Sequence, residues 1–154
     1  MLDHLDESGP RITVDELAMA EDTLGYALPD EYRRFLLRHN GGRPAPEFFP
    51  IEGLDKNPYG AMKMFFGIGH AEESCDLLSN ADVMAGMLPE GLLPIGCDNS
   101  GSLVCLGVYG EYQDRVLFWD YYDDGPPEER LYSIADTFVD FLASFCDEET
   151  ALGS

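Results

Sequence analysis

Positive charge is what this sequence has least of. Nine Lys and Arg stand against thirty Asp and Glu, giving a formal net charge of −21 and a pI near 4.1. So acidic a chain repels nucleic-acid phosphates and anionic lipid surfaces, which argues against nucleic acid and membrane as partners. It attracts basic proteins, fastest at low salt. The same charge also serves solubility alone, as in a chain from a halophilic source, and composition leaves both readings open. Four of the nine cations, Arg33, Arg34, Arg38 and Arg43, cluster in one stretch. Local ion pairing with Asp30, Glu31 or Glu47 is the simplest account of that cluster.

Metal-binding and nucleophile signatures are also missing. Cys75, Cys97, Cys105 and Cys146 form no C-x-x-C pair and have no paired histidines nearby, so a structural zinc site is not expected. His4, His39 and His70 are the only histidines, and nothing in their spacing builds a Ser–His–Asp set. Gly67-Ile68-Gly69 lacks the third glycine of a phosphate-cradling loop, since Glu72 stands in its place. Asp98-Asn99-Ser100-Gly101 lacks the acidic spacing of a calcium loop and reads instead as an Asx-type turn, with Gly101 taking a positive φ. Ser100 lacks the preceding G-x of a nucleophile elbow. The sequence therefore assigns no catalytic residue, cofactor or metal. No apolar run approaches the ~20 residues a membrane span needs, and the acidic start lacks an apolar signal core. The expectation is a cytoplasmic protein with reduced, mostly buried thiols.

What is present suits one globular domain: 154 residues, 45% hydrophobic and 12% aromatic. Residues 1–11 read as a flexible acidic leader, 12–146 as the domain and 147–154 as a tail. Thr13-Val14-Asp15-Glu16 is a capping box that starts a helix with Leu17, Ala20 and Leu24 inward and Gly25 as its left-handed stop. Pro29 suits the first turn of a second helix, whose stripe is Tyr32, Phe35, Leu36 and His39 and whose end is Asn40-Gly41-Gly42. Strand-like runs follow at 62–66, 93–95, 103–108, 116–122 and 131–134, with a helical stretch over 74–87. A closing amphipathic helix carries Phe138, Phe141, Leu142 and Phe145. Helices, an antiparallel meander and a final helix make an α+β fold, with a central, mostly antiparallel sheet and helices packed around it.

The densest group of aromatic and acidic residues is Trp119-Asp120-Tyr121-Tyr122-Asp123-Asp124. Continued as a strand, it places Phe118, Asp120 and Tyr122 on one face, with Trp119 and Tyr121 on the other. Trp119 and one tyrosine are expected in the core. Asp123 and Asp124 either contact a basic protein or solvate a turn. Tyr109, Glu111, Tyr112 and Asp114 form a second mixed group on a loop. Tyr112, Asp114, Asp120, Tyr122, Asp123 and Asp124 are the candidate partner-binding residues.

Leu24-Gly25, Leu28-Pro29, Tyr32, Phe35-Leu36 and Asn40-Gly41-Gly42 recur in order with Pro94-Ile95-Gly96, Asp98, Gly101, Phe118-Trp119-Asp120 and the 138–142 helix. Together, from about Ile12 to about Phe145, they resemble the SUKH superfamily of bacterial immunity proteins and yeast cell-wall assembly regulators. Ser102 and Tyr121 depart from the acidic or amide residue and the histidine common at those places. The resemblance implies a SUKH-like α+β fold without catalysis and binding of a toxin domain, often a nuclease or deaminase. The expected partner is thus a basic protein toxin domain, met by a monomer or weak homodimer. The alternative is an intracellular regulatory or scaffold module like the yeast relatives.

Overall fold

Helices begin where the sequence supplies caps. In the computed structural model, which describes residues 1–53 and 58–152, the Thr13 hydroxyl accepts from the Glu16 N–H and the Glu16 carboxylate accepts from the Thr13 N–H, each at 3.1 Å. This capping box starts α1 (Val14–Leu24), and Gly25 ends it at φ 90°. In α2 (Asp30–Arg38), Pro29 sits at the N-cap, one residue before the helix rather than in its first turn. Asp30 and Glu31 lie at the positive end of the helix dipole. Tyr32, Phe35 and Leu36 are buried. His39 leaves the stripe: it is extended and exposed, because the chain turns there to bring Asn40 inward.

The expected 74–87 helix is shorter. A 3-10 turn at Glu73–Cys75 precedes α3 (Leu77–Val83). Asp76 sets the start. One carboxylate oxygen accepts from Ser79 N–H at 2.9 Å, and the other accepts from the Gly69 and His70 N–H groups. The last helices are α4 (Phe138–Ser144), capped by the Thr137 hydroxyl, and the short α5 (Glu148–Ala151), capped by Asp147.

A small antiparallel sheet pairs β1 (His4–Asp6) with β2 (Arg43–Ala45). The main sheet holds β3 (Phe48–Pro50), β4 (Tyr59–Phe65), β5 (Leu92–Asp98), β6 (Leu103–Gly107), β7 (Val116–Trp119) and β8 (Leu131–Ala135). All neighbours are antiparallel, and spatial order equals chain order, so the α+β meander expected from the sequence is what forms. Register shifts interrupt the β4–β5, β5–β6 and β7–β8 ladders. Such bulges bend and twist a sheet, and here it curls until the chain after β3 meets β8: Glu52 N–H donates to Ser133 O at 2.9 Å. The result is nearly a barrel. β6 is buried along its whole length, as its unbroken apolar run requires.

Phe35, Phe49, Phe65, Phe138, Phe141 and Phe145 join the helices to the sheet, with ring centroids 4.9–6.5 Å apart in tilted and edge-on pairs. α3 packs on β5, and α4 on β3 and β8.

Both ends of the chain differ from expectation. Residues 1–11 carry β1, and Leu2 N–H and Gly9 N–H donate to Leu142 O and Asn40 O. Leu2 and Leu5 draw this segment in by packing against the core. The tail forms α5 with Ala151 buried; its last two residues lie outside the described ones. All four cysteines are free. Only Cys105 is buried, the others being half-buried.

Asn40, 3% exposed, is the central buried polar residue. Its amide nitrogen donates to Pro10 O and Ile68 O, and its amide oxygen accepts from Ile68 N–H, each at 2.7 Å. Asn40→Ala leaves the Ile68 N–H and C=O buried without partners and is expected to cost about 2–4 kcal/mol in urea unfolding. A cost near zero would show the three bonds to be dispensable.

Candidate protein-binding surface

The strand ending in Trp119 stops there because the next residue folds on itself. Asp120 N–H still donates to Arg130 O across the β7–β8 ladder, at 3.0 Å. The Asp120 carboxylate then accepts from Tyr122 N–H at 3.0 Å, which turns the chain. Strand alternation therefore ends at Trp119, and the expected partition of Asp120, Tyr121 and Tyr122 between two faces does not hold. Trp119 is fully buried, as expected. Neither tyrosine joins it: Tyr121 is 48% and Tyr122 66% exposed, with their rings edge-on at 5.4 Å.

Three kinds of contact, made by two side chains, hold this loop from below. The Trp119 indole N–H donates to Pro127 O at 3.2 Å. The Arg130 guanidinium lies 4.1 Å from the centre of the Trp119 ring, a cation–π contact. The same guanidinium donates to Asp120 O at 2.9 Å and to Tyr121 O. Its charge is thus spent on a ring and two carbonyls. Among the described residues, no cation lies within ion-pairing distance of Asp120, Asp123, Asp124, Glu128 or Glu129.

The fourth support is the β5–β6 turn. One oxygen of Asp98, 9% exposed, accepts from Ser100 N–H, Ser100 O–H and Ser102 N–H at 2.7–2.9 Å. This is the Asx-type turn read from the sequence, with Gly101 at φ 99°. The Ser102 hydroxyl oxygen accepts from Tyr121 N–H at 3.2 Å, and the Tyr122 hydroxyl donates to Ser100 O. Asp123 accepts from Gly125 N–H at 2.8 Å. The exposed tyrosines and carboxylates therefore sit on a backbone fixed at both sides.

Four of the six candidate residues, Asp120, Tyr122, Asp123 and Asp124, gather on this loop. Tyr112 and Asp114 do not join them. Tyr112 closes a 3-10 turn at Gly110–Tyr112, and Asp114 (φ 71°) donates its N–H to Gly107 O, both beyond the opposite end of β7. At ~3.3 Å per strand residue the two groups stand roughly 15–20 Å apart. Burial, with the Glu111 and Glu128 carboxylates, pushes the Tyr112 phenol up.

The sequence reading missed Tyr121, Ser102 and Arg130. One signal for Arg130 existed: it is the only Lys or Arg after Arg115. The arginine cluster also pairs differently from expectation. Arg33 meets Glu21 at 3.3 Å and Arg43 meets Glu7 at 2.6 Å, because the capped α1 and the paired first strand bring those acids alongside.

Among the described residues, no group of three or more His, Cys, Asp or Glu is arranged to hold a metal. Burial pushes the Cys105 thiol up and keeps it protonated. No described helix is long and apolar enough to cross a membrane.

The model of the SMI1/KNR4 family (SUKH-1) matches residues 11–144. The chain is also similar to a Bacillus subtilis (strain 168) protein described as SPbeta prophage-derived uncharacterized protein YokK. The two are 23% identical over 151 residues, covering 88% of this chain and 76% of that relative.

Arg130→Met removes the cation over Trp119 and both carbonyl contacts. It is expected to cost about 1–2 kcal/mol in urea unfolding and to speed hydrogen exchange at the Tyr122 and Gly125 amides. Unchanged exchange would mean that the loop is held by other contacts.

Proposed function

Since the chain belongs to the SMI1/KNR4 family (SUKH-1), we propose that it is a non-enzymatic immunity protein that binds and neutralises a cognate toxin domain. The observation that carries this reading is the Trp119-anchored loop. It presents two exposed tyrosines among carboxylates that form no ion pair with any cation of the described residues, on a backbone already fixed. Tyrosine is a favoured anchor of protein interfaces, and rigid loops lose little freedom on binding. The net charge of −21 adds long-range attraction for a basic partner and speeds encounter at low salt.

Toxins that act on nucleic acid, such as nucleases and deaminases, need a basic groove for their substrate. An acidic surface seated there excludes the substrate by volume and by charge, one inhibitor to one toxin and with no turnover. Expression of the protein in the cytoplasm, where such toxins act, follows from the same reading. The rival reading is a regulatory scaffold that binds ordinary cellular proteins and protects against nothing.

Co-expression with the toxin domain encoded beside this gene is expected to restore growth. No rescue, together with capture of several ordinary cellular proteins, would favour the scaffold.

Changing Asp123 and Asp124 together to Lys is expected to slow association with the toxin by about tenfold at low salt and flatten its salt dependence. Tyr122→Ala is expected to act on dissociation instead, weakening the complex by ~2 kcal/mol if Tyr122 is an anchor. Unchanged rates in both variants would remove this loop from the interface.

A further inference from the structure

An open cleft of about 480 Å³ lies between the end of α1, α3 with the turn that follows it, and Tyr109. Its lining is aliphatic at Leu24, Leu78, Met84 and Leu88. Tyr26 and Tyr109 stand in it with ring centroids 5.5 Å apart and planes inclined by 58°. The Tyr109 backbone is locked in place: Val108 N–H donates to Gly91 O at 2.8 Å, and a Cβ at Gly91 would lie 2.3 Å from Tyr109 O. Gly91 also has φ 88°, so two constraints require glycine there.

The charge of the cleft has one sign. Asp82 and Glu90 line it, both exposed, and none of its lining residues is Lys, Arg or His. No cation lies within ion-pairing distance of either carboxylate among the described residues. Burial, and then Tyr109 beside it, push the Tyr26 phenol up to about 12, so the ring stays neutral near pH 7. Val83 on α3 and Met87 just beyond it, next in sequence to lining residues, are 70% and 44% exposed.

We infer that this cleft docks a cationic aliphatic segment of a protein partner, with aliphatic side chains on its floor and an arginine or lysine between the tyrosine rings and the Asp82 and Glu90 carboxylates. Aromatic faces attract cations, guanidinium groups above all. An acidic segment would meet two like charges and no compensating group. That the segment belongs to the basic partner proposed above rests on that reading; the chemistry of the cleft does not. Tyr112 and Asp114, stranded from the Trp119 loop, lie a few residues beyond Tyr109 on the chain that leaves this cleft.

The test titrates the 15N-labelled protein with a blocked peptide of alternating leucine and arginine. A second peptide carries glutamate for arginine, and a third glycine for leucine. Amide shifts at Ala81, Glu90 and Tyr109 are expected with the first peptide only. Asp82→Asn with Glu90→Gln, both surface changes, is expected to weaken that binding about three- to tenfold. Tyr109→Ala is expected to weaken it further. The inference is overturned by shifts confined to residues 120–124, by equal binding of the glutamate or glycine peptide, or by no shift at all. No toxin enters this measurement, so failure of the growth rescue leaves its outcome standing, and failure here leaves the growth rescue untouched.

Discussion

The Asn40 side chain spends its amide nitrogen on carbonyls of two distant segments and its amide oxygen on an N–H of the second, and both bonds to the second are buried. One contact fixes the chain entering α1, and the other two fix the chain leaving β4. Its own carbonyl accepts from Gly9 N–H. The neighbouring glycines make this approach possible. A Cβ at Gly41 would lie 2.7 Å from Phe65 O, and one at Gly67 would lie 2.3 Å from Asn40 O. Gly42 then bridges to Phe65, continuing the sheet's contact with the end of α2. A low-dielectric interior strengthens each of these bonds and penalises the loss of any. Asn40 thus ties the end of α2 to the chain beside the sheet, next to the Phe35–Phe65–Phe138 packing.

The Trp119 loop uses the same device with different chemistry. Asp98 gathers three donors on one oxygen, Ser102 passes the constraint to Tyr121, and Arg130 holds the other side. Carboxylates and tyrosines that would wander on a free loop are held in fixed relation to the sheet. Their ordering is thus completed when the chain folds.

Much of this was legible in local chemistry. The Thr13 capping box, the Gly25 stop, the Asp98 turn and the aromatic face of α4 depend on residues within one or two turns of each other, and sequence shows those directly. The α+β meander followed from their order, and membership of the SMI1/KNR4 family fits the motifs that carried the resemblance. What escaped depends on contacts between distant residues. Asn40-Gly41-Gly42 reads as a helix end, while its partners Pro10 and Ile68 are set by tertiary packing. Tyr121 and Tyr122 read as strand because nothing in Trp-Asp-Tyr-Tyr announces that Asp120 will cap its own turn. The six candidate residues are split because β7 lies between Tyr112 and Asp114 at one end and residues 120–124 at the other, and that strand is three residues shorter than the 116–122 run suggested.

The near-closure of the sheet also sets an order of events on the ribosome. β3 can form its hairpin with β4 early, yet the chain just after it meets β8 only once roughly eighty more residues exist, and loop closure over such distances slows folding. At ~5–20 residues per second that is several seconds of synthesis. Throughout it the outer edge of β3, with Phe48 and Phe49 on it, faces the nascent chain's crowded surroundings. Unpaired edges of this kind recruit other strands. Pro50 lies within β3 and Pro46 just before it, and neither offers an N–H to an intruding strand. These two prolines thus act as guards of an edge that is exposed only while the protein is being made.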